Sequence, residues 1–250
     1  MLPALTDREQ EPNWEPGTAH GYHAITFGWL VGEVVRRISG RTLGRFLRDE
    51  IAGPLGLDFW IGLPEAEDPR AARIAPPPPV DPHDAFGAAL LDHGSLTRRA
   101  FMNPSTLYFA GGAEFARRLR AAEIPAANGM ANARGLAGLY APLAAGDGAL
   151  VCAETRARMS AVASEGPDRI LVHETRFASG FMKSVDAGPH HRAQLGPNDA
   201  AFGHVGAGGS LGMADPIAGI AIGYAMNRMG PGLLLDERGQ ALVDAIYDCL

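Results

Sequence analysis

Candidate nucleophiles and metal ligands are few in this chain, and their spacing rules most of them out. Gly208-Gly209-Ser210-Leu211-Gly212 matches Gly-x-Ser-x-Gly, the elbow that presents a nucleophilic serine between a strand and a helix. That chemistry needs an acid and then a histidine after the serine, but the last histidine of the chain is His204. Leu211 to Asp215 also reads as a strand, where an elbow requires a helix. Ser210 is therefore not expected to be a nucleophile. His20 and His23 stand three apart and His190-His191 are adjacent, yet no cysteine or carboxylate spacing around them completes a zinc set. No metal and no cofactor is expected. Tyr22 and His204 remain, one near each end of the chain.

The elements that must position these two residues follow from periodicity and turn signals. Phe202 to Pro216 places His204 on a strand, then a glycine cluster, then a second strand that turns at Asp215-Pro216. Glycines 203, 206, 208, 209 and 212 remove side chains where a backbone turns sharply or a ligand comes close. Pro16-Gly17 signals a turn, and Tyr22 sits just before a helical pattern with apolar residues 27, 30, 31, 34, 35 and 38 on one face and Gly40 as its stop. A second helix reads from about Thr42, with Leu43, Phe46, Leu47 and Ile51 inward, and ends at Gly53-Pro54. Asn132 is a plausible N-cap for a helix carrying Leu136, Leu139, Tyr140 and Leu143. Phe177 to Met182 reads as a strand leading to the glycine cluster, and Ala218 to Met226 as a strand buried on both faces. Leu235 to Leu250 reads as a closing helix with Leu242, Ile246 and Leu250 along one side. Pro64 to Leu96, with Pro76 to Pro79 in a row, reads as a long surface loop. Glu33, Glu50 and Lys183 read as ordinary surface charges.

Composition sets the outer limits. With 250 residues and 46% apolar content there is material for one sizeable core. The chain reads as a single α/β (α+β) domain, mainly helical over residues 12–164, with a sheet and C-terminal helix over 165–250. A net charge of −6 offers no footprint for nucleic acid. Cys152 and Cys249 make no disulfide framework, so a reduced, cytoplasmic setting is expected. Met1 to Pro16 shows no signal-peptide pattern, and the apolar run over 216–235 is interrupted by Asn227, Arg228 and Pro231 before it could span a membrane.

His204-Val205-Gly206 resembles the third active-site triplet, Lys-Thr-Gly or His-x-Gly, of the serine β-lactamase and penicillin-binding-protein superfamily. Tyr22-His23-Ala24 resembles its Tyr-x-Asn triplet, whose tyrosine opens a loop ahead of a similar helix. With Ala24 for the asparagine and His204 for the lysine, the chain is more similar to the family VIII carboxylesterases than to class C β-lactamases. The resemblance covers roughly residues 12–250. It implies a serine β-lactamase/transpeptidase-like fold, an antiparallel sheet flanked by helices plus a helical lobe. It further implies hydrolysis of a small ester or amide, most often a carboxylic ester, through an acyl-enzyme. Tyr22 would be the catalytic proton shuttle. His204, Gly206 and Ala207 would line the substrate pocket, the Ala207 N–H supplying half of an oxyanion hole. Trp29 and Phe27 would form the wall or core behind the tyrosine.

This superfamily's nucleophile comes from Ser-x-x-Lys, whose spacing sets the amine beside the hydroxyl on one helix face. The chain has one lysine, Lys183, and Gly180 lies three before it. No Ser-x-x-Lys occurs anywhere, and only 21 residues precede Tyr22. The chain reads as the C-terminal portion of a longer hydrolase, without its N-terminal strands and inactive alone. The rival readings are a non-catalytic remnant or binding module, and a β-lactam hydrolase. Missing strands would leave Ile217 to Met226 as an uncharged edge open to self-association.

Overall fold

The computed structural model describes residues 11–103, 112–185 and 194–250; the His190-His191 pair lies outside them. Helix α1, Thr26–Ser39, stops at Gly40, whose φ of 73° lets its N–H return to the Arg36 carbonyl. Helix α2, Leu43–Leu47, is capped by the Thr42 hydroxyl, which accepts from Arg45 N, and runs into a π turn over Arg48–Ala52. Strand β1, Phe59–Trp60, pairs antiparallel with β2, Met130–Ala131. Helices α3 (Ala85–Leu91), α4 (Leu96–Phe101) and α5 (Ala113–Ala121) fill the lobe between them. Helix α6, Ala133–Ala145, starts at Asn132, whose side chain accepts from Gly135 N at 2.7 Å as its cap position demands. Helix α7, Ala153–Ser160, leads into the sheet.

Strands β3 (Val162–Pro167) and β4 (Glu174–Ala178) form an antiparallel hairpin. Strands β5 (Phe202–Val205), β6 (Leu211–Asp215) and β7 (Ile220–Tyr224) form an antiparallel meander in that order. Met182 bridges Phe177 on one side and Gly203 on the other, joining the two sets. Helix α6 covers one face. A Cβ at Gly223 would run into the Ala133 carbonyl, and one at Gly212 into the Tyr140 ring, so glycine is what lets this helix approach. Helix α8, Glu237–Tyr247, covers the other face, with Val243 against Leu195, Val205, Leu211, Met213 and Ile222. No helix among the described residues is long and apolar enough to cross a membrane.

Several expected elements differ. The 64–96 stretch contains a 3-10 turn at Glu65–Arg70 and helix α3, capped by Asp84. A seven-residue helix has little stability of its own; Phe86 and Leu90 hold it against the Phe101 cluster. The 177–182 strand breaks at Ser179-Gly180, where Gly180 has φ 86°. Strand β7 is shorter than expected, and only Ile222 in it is buried. The closing helix turns Gly239, Gln240 and Val243 inward, while Leu242 is 48% and Leu250 71% exposed. On the apolar face of α1, Leu30 and Val35 are half-buried, but Phe27, Val31, Val34 and Ile38 are 44, 42, 56 and 83% exposed. The helix instead meets the protein through Gly28, where a Cβ would lie 2.7 Å from Ala126 N.

Asp215 shows how the sheet holds its C-terminal helix. Its fully buried carboxylate accepts from Tyr247 Oη at 2.6 Å, Asn198 Nδ2 at 2.7 Å, Ile217 N at 2.9 Å and Ala218 N at 3.1 Å. Burial alone would raise its carboxyl, but these four donors outweigh it and hold the group below the ordinary 3.8. Burial and the Asp215 charge raise the Tyr247 phenol above its ordinary 10.0. A depressed acid stabilises above its unfolded value and a raised phenol below its own, so the latch is intact from about pH 4 to about pH 10. Asp215→Ala is expected to cost about 2–3 kcal/mol at pH 7, since it leaves buried donors unpaired. Denaturant titration at pH 7 and pH 3 checks this, with a smaller difference between variant and wild type at pH 3.

Candidate active site

Tyr22 and His204 meet. Their rings stand 6.0 Å apart at 40°, and Tyr22 also stacks near Phe177 at 6.0 Å and Phe101 at 6.2 Å. Three elements place them: the segment before α1 carries Tyr22, β4 carries Phe177 and β5 carries His204. Alternation along β5 sends His204 to the same face as Phe202, the face that α6 covers, while Val205 points to the α8 core. Below Tyr22, Ala24, Ile25, Ile170 and Leu171 form a buried floor.

His204 Nδ1 lies 2.6 Å from the Val205 carbonyl. A carbonyl only accepts, so Nδ1 carries the proton and Nε2 of the neutral ring is an acceptor. Burial pushes this imidazole below 6.5 against the opposing pull of that carbonyl, so it is neutral at pH 7.

The glycine turn after β5 spends two of its donors on itself and a third on the Gly232 carbonyl. Gly206 N donates to Ser210 O at 2.7 Å, Gly209 N to Gly206 O at 2.9 Å and Gly208 N to Gly232 O at 3.2 Å. The Ala207 N–H has no acceptor among the described residues, and Ala207 is exposed. Ser210 sits at the foot of the turn, where its hydroxyl occupies the space a Cβ on Gly206 would need.

Other expected residues fall elsewhere. His20 Nε2 bonds Thr175 Oγ1 at 2.8 Å and His23 Nε2 bonds Thr26 Oγ1 at 2.5 Å, so the two rings serve different partners. Phe27 is outside the wall, exposed beside His23; Trp29 is inside it, donating Nε1 to Glu123 O at 3.0 Å. Lys183 is buried, at 7% exposure, with Nζ donating to the Asp199 carbonyl at 2.5 Å. It follows the Met182 bridge, its N–H donating to the Arg176 carbonyl at 2.9 Å near the Arg176–Asp199 ion pair, and burial lowers its ammonium. Glu33 is clamped by Arg36 and Arg37, which hold its carboxyl at about 2. Glu50 pairs with Arg41 at 2.6 Å. The sequence reading missed Asp168 and Thr175, which fasten the Tyr22 segment. Gly166-Pro167-Asp168 between two strands signals only a turn.

Comparison with known proteins gives the family and the fold. Residues 7–245 match the Beta-lactamase family. Esterase/beta-lactamase LipL of Mycobacterium tuberculosis is 34% identical over 233 residues, covering 87% of this chain and 51% of LipL. A penicillin-binding-protein homologue from Caulobacter crescentus superposes with a TM-score of 0.78 at 36% identity, over 96% of this chain and 62% of that one. A family VIII carboxylesterase superposes with a TM-score of 0.77 at 37% identity, over 96% and 61%. The chain thus spans about half the length of LipL and under two thirds of the two solved relatives. With this fold and these relatives, the chain belongs to the β-lactamase family, within the superfamily of serine hydrolases and esterases.

Proposed function

We propose that this chain supplies the tyrosine side of a carboxylic-ester hydrolase site whose serine and lysine come from outside its own sequence. The observation that carries the reading is the Tyr22–His204 contact, 6.0 Å between rings from opposite ends of the chain. In this reading a Ser-x-x-Lys serine attacks the ester carbonyl and loses its proton to the lysine, with Tyr22 shuttling it to the departing alkoxide. The tetrahedral oxyanion is held by the Ala207 N–H and the serine's own N–H. Water then cleaves the acyl-enzyme by the same proton path. His204, neutral and presenting Nε2, orients the substrate opposite Tyr22. A histidine here and Ala24 in place of an asparagine favour an ester over a β-lactam. Cys152 and Cys249 are both unpaired, which suits a reducing, cytoplasmic setting.

The test compares this chain with a form completed by a relative's Ser-x-x-Lys segment, on p-nitrophenyl butyrate and on nitrocefin. The chain alone is expected to show no turnover above background, and the completed form to hydrolyse the ester in preference to nitrocefin. Fluorophosphonate labelling of the chain alone, abolished by Ser210→Ala, would falsify the reading and make Ser210 the nucleophile.

A further inference from the structure

We infer that Asp168, at the tip of the β3–β4 hairpin, is the positioning residue of Tyr22; the inference rests on Tyr22 being the proton shuttle proposed above. Asp168 is 3% exposed. Its Oδ1 accepts three main-chain N–H groups, from Ile170 at 2.8 Å, Leu171 at 2.8 Å and Tyr22 at 3.1 Å. The first two close the hairpin loop, as an aspartate at such a turn does. The third leaves the hairpin for the residue that carries the phenol, and loop closure has no need of it.

The other carboxylate oxygen fixes the neighbouring residue. Thr175 Oγ1 lies 3.2 Å from Asp168 Oδ2 and 2.8 Å from His20 Nε2. An ionised carboxylate only accepts, so the single hydroxyl proton of Thr175 goes to Asp168, and Thr175 must accept from His20. That makes His20 the Nε2–H tautomer. The His20 carbonyl takes the Arg169 N–H at 3.1 Å, so residues 20 and 22 are both tied to the hairpin tip. The tip itself is strained: Val172, β-branched, holds φ 62°. A left-handed residue of this kind is unfavourable and persists where surrounding bonds over-determine it. The Asp168 bonds to Ile170 and Leu171, with Val172 N to Asp168 O at 3.0 Å, supply that constraint. The hairpin's β4 also carries Phe177, which stacks near Tyr22. One rigid unit therefore sets both the backbone and a ring neighbour of the tyrosine. Such precision matters because a misplacement of about 1 Å costs about 10²-fold in rate.

The inference is tested by NMR on this chain, so the outcome is independent of any turnover and separable from the esterase assay. In wild type, the Tyr22 amide is expected to be protected from exchange and His20 to show the Nε2–H tautomer. Asp168→Ala is expected to abolish the Tyr22–His204 ring NOE while β5, β6 and β7 resonances keep their positions. Asp168→Asn keeps an acceptor for the three N–H groups, so the ring NOE survives. Its amide group now donates to Thr175, whose hydroxyl turns to His20 and switches that ring to Nδ1–H. An unprotected Tyr22 amide in wild type overturns the inference without any variant. So does a ring NOE that persists in Asp168→Ala, or a His20 tautomer unchanged in Asp168→Asn.

Discussion

Tyr22→Phe, in a form completed by a Ser-x-x-Lys segment, is expected to lower kcat by about 10²-fold or more, the usual contribution of a positioned proton-transfer group. The substitution removes only the hydroxyl. The ring contacts with Phe101, Phe177 and His204 stay available, so packing and stability should change little. KM should hold, because the lost interaction belongs to the transition state. His204→Ala should act the other way. It removes a neutral acceptor facing the substrate and should raise KM more than it lowers kcat. Steady-state kinetics on p-nitrophenyl butyrate separate the two effects. Wild-type turnover in Tyr22→Phe would mean that the proton travels by another group and that the motif assignment fails.

The parts of this site that the sequence made legible are those whose backbone chemistry is local. Asn132 caps a helix because its side chain reaches an N–H three residues on, and Gly40 ends one because its φ is positive. The glycine turn between β5 and β6 was legible for the same reason, with Gly208 and Gly209 both at positive φ. Burial was harder to read, since it depends on which neighbours are present. Spacing puts an apolar stripe on one face of α1 but does not say what covers it, and Ile38 in that stripe is 83% exposed. On α8 the covered side is set by the approach of Val243 to β6, so of Leu242, Ile246 and Leu250, which share one side by spacing, only Ile246 packs on the core. Lys183 looked like a surface charge because type predicts exposure, but it is buried with its ammonium on the Asp199 carbonyl, a partner 16 positions away. Asp168 was invisible for a further reason. Its partner Tyr22 lies 146 positions away, and only the folded hairpin brings them together.

The same uncovered surfaces lead to the other large effect: the purified chain is expected to self-associate as its concentration rises. Among the described residues β7 pairs with β6 alone, so its far side presents free N–H and C=O groups along Ile220–Tyr224. Natural sheets protect such edges with charges, bulges or prolines. Here Ile217 to Met226 holds no charge, and Pro216 precedes the strand without interrupting it. Ile217, in the turn just before β7, is 71% exposed. The stripe of Phe27, Val31, Val34 and Ile38 on α1 adds a second apolar surface. Strand pairing satisfies the backbone groups as well as burying side chains, so the β7 edge is the surface expected to lead. Light scattering coupled to size-exclusion chromatography, across a range of loading concentrations, measures the effect. Ile217→Lys places a charge in the exposed turn that leads into the edge strand and should shift the chain toward monomer, while Val34→Lys on α1 should shift it less. A monomer at every concentration, unfolding cooperatively, would show that the edge needs no partner and would remove this prediction.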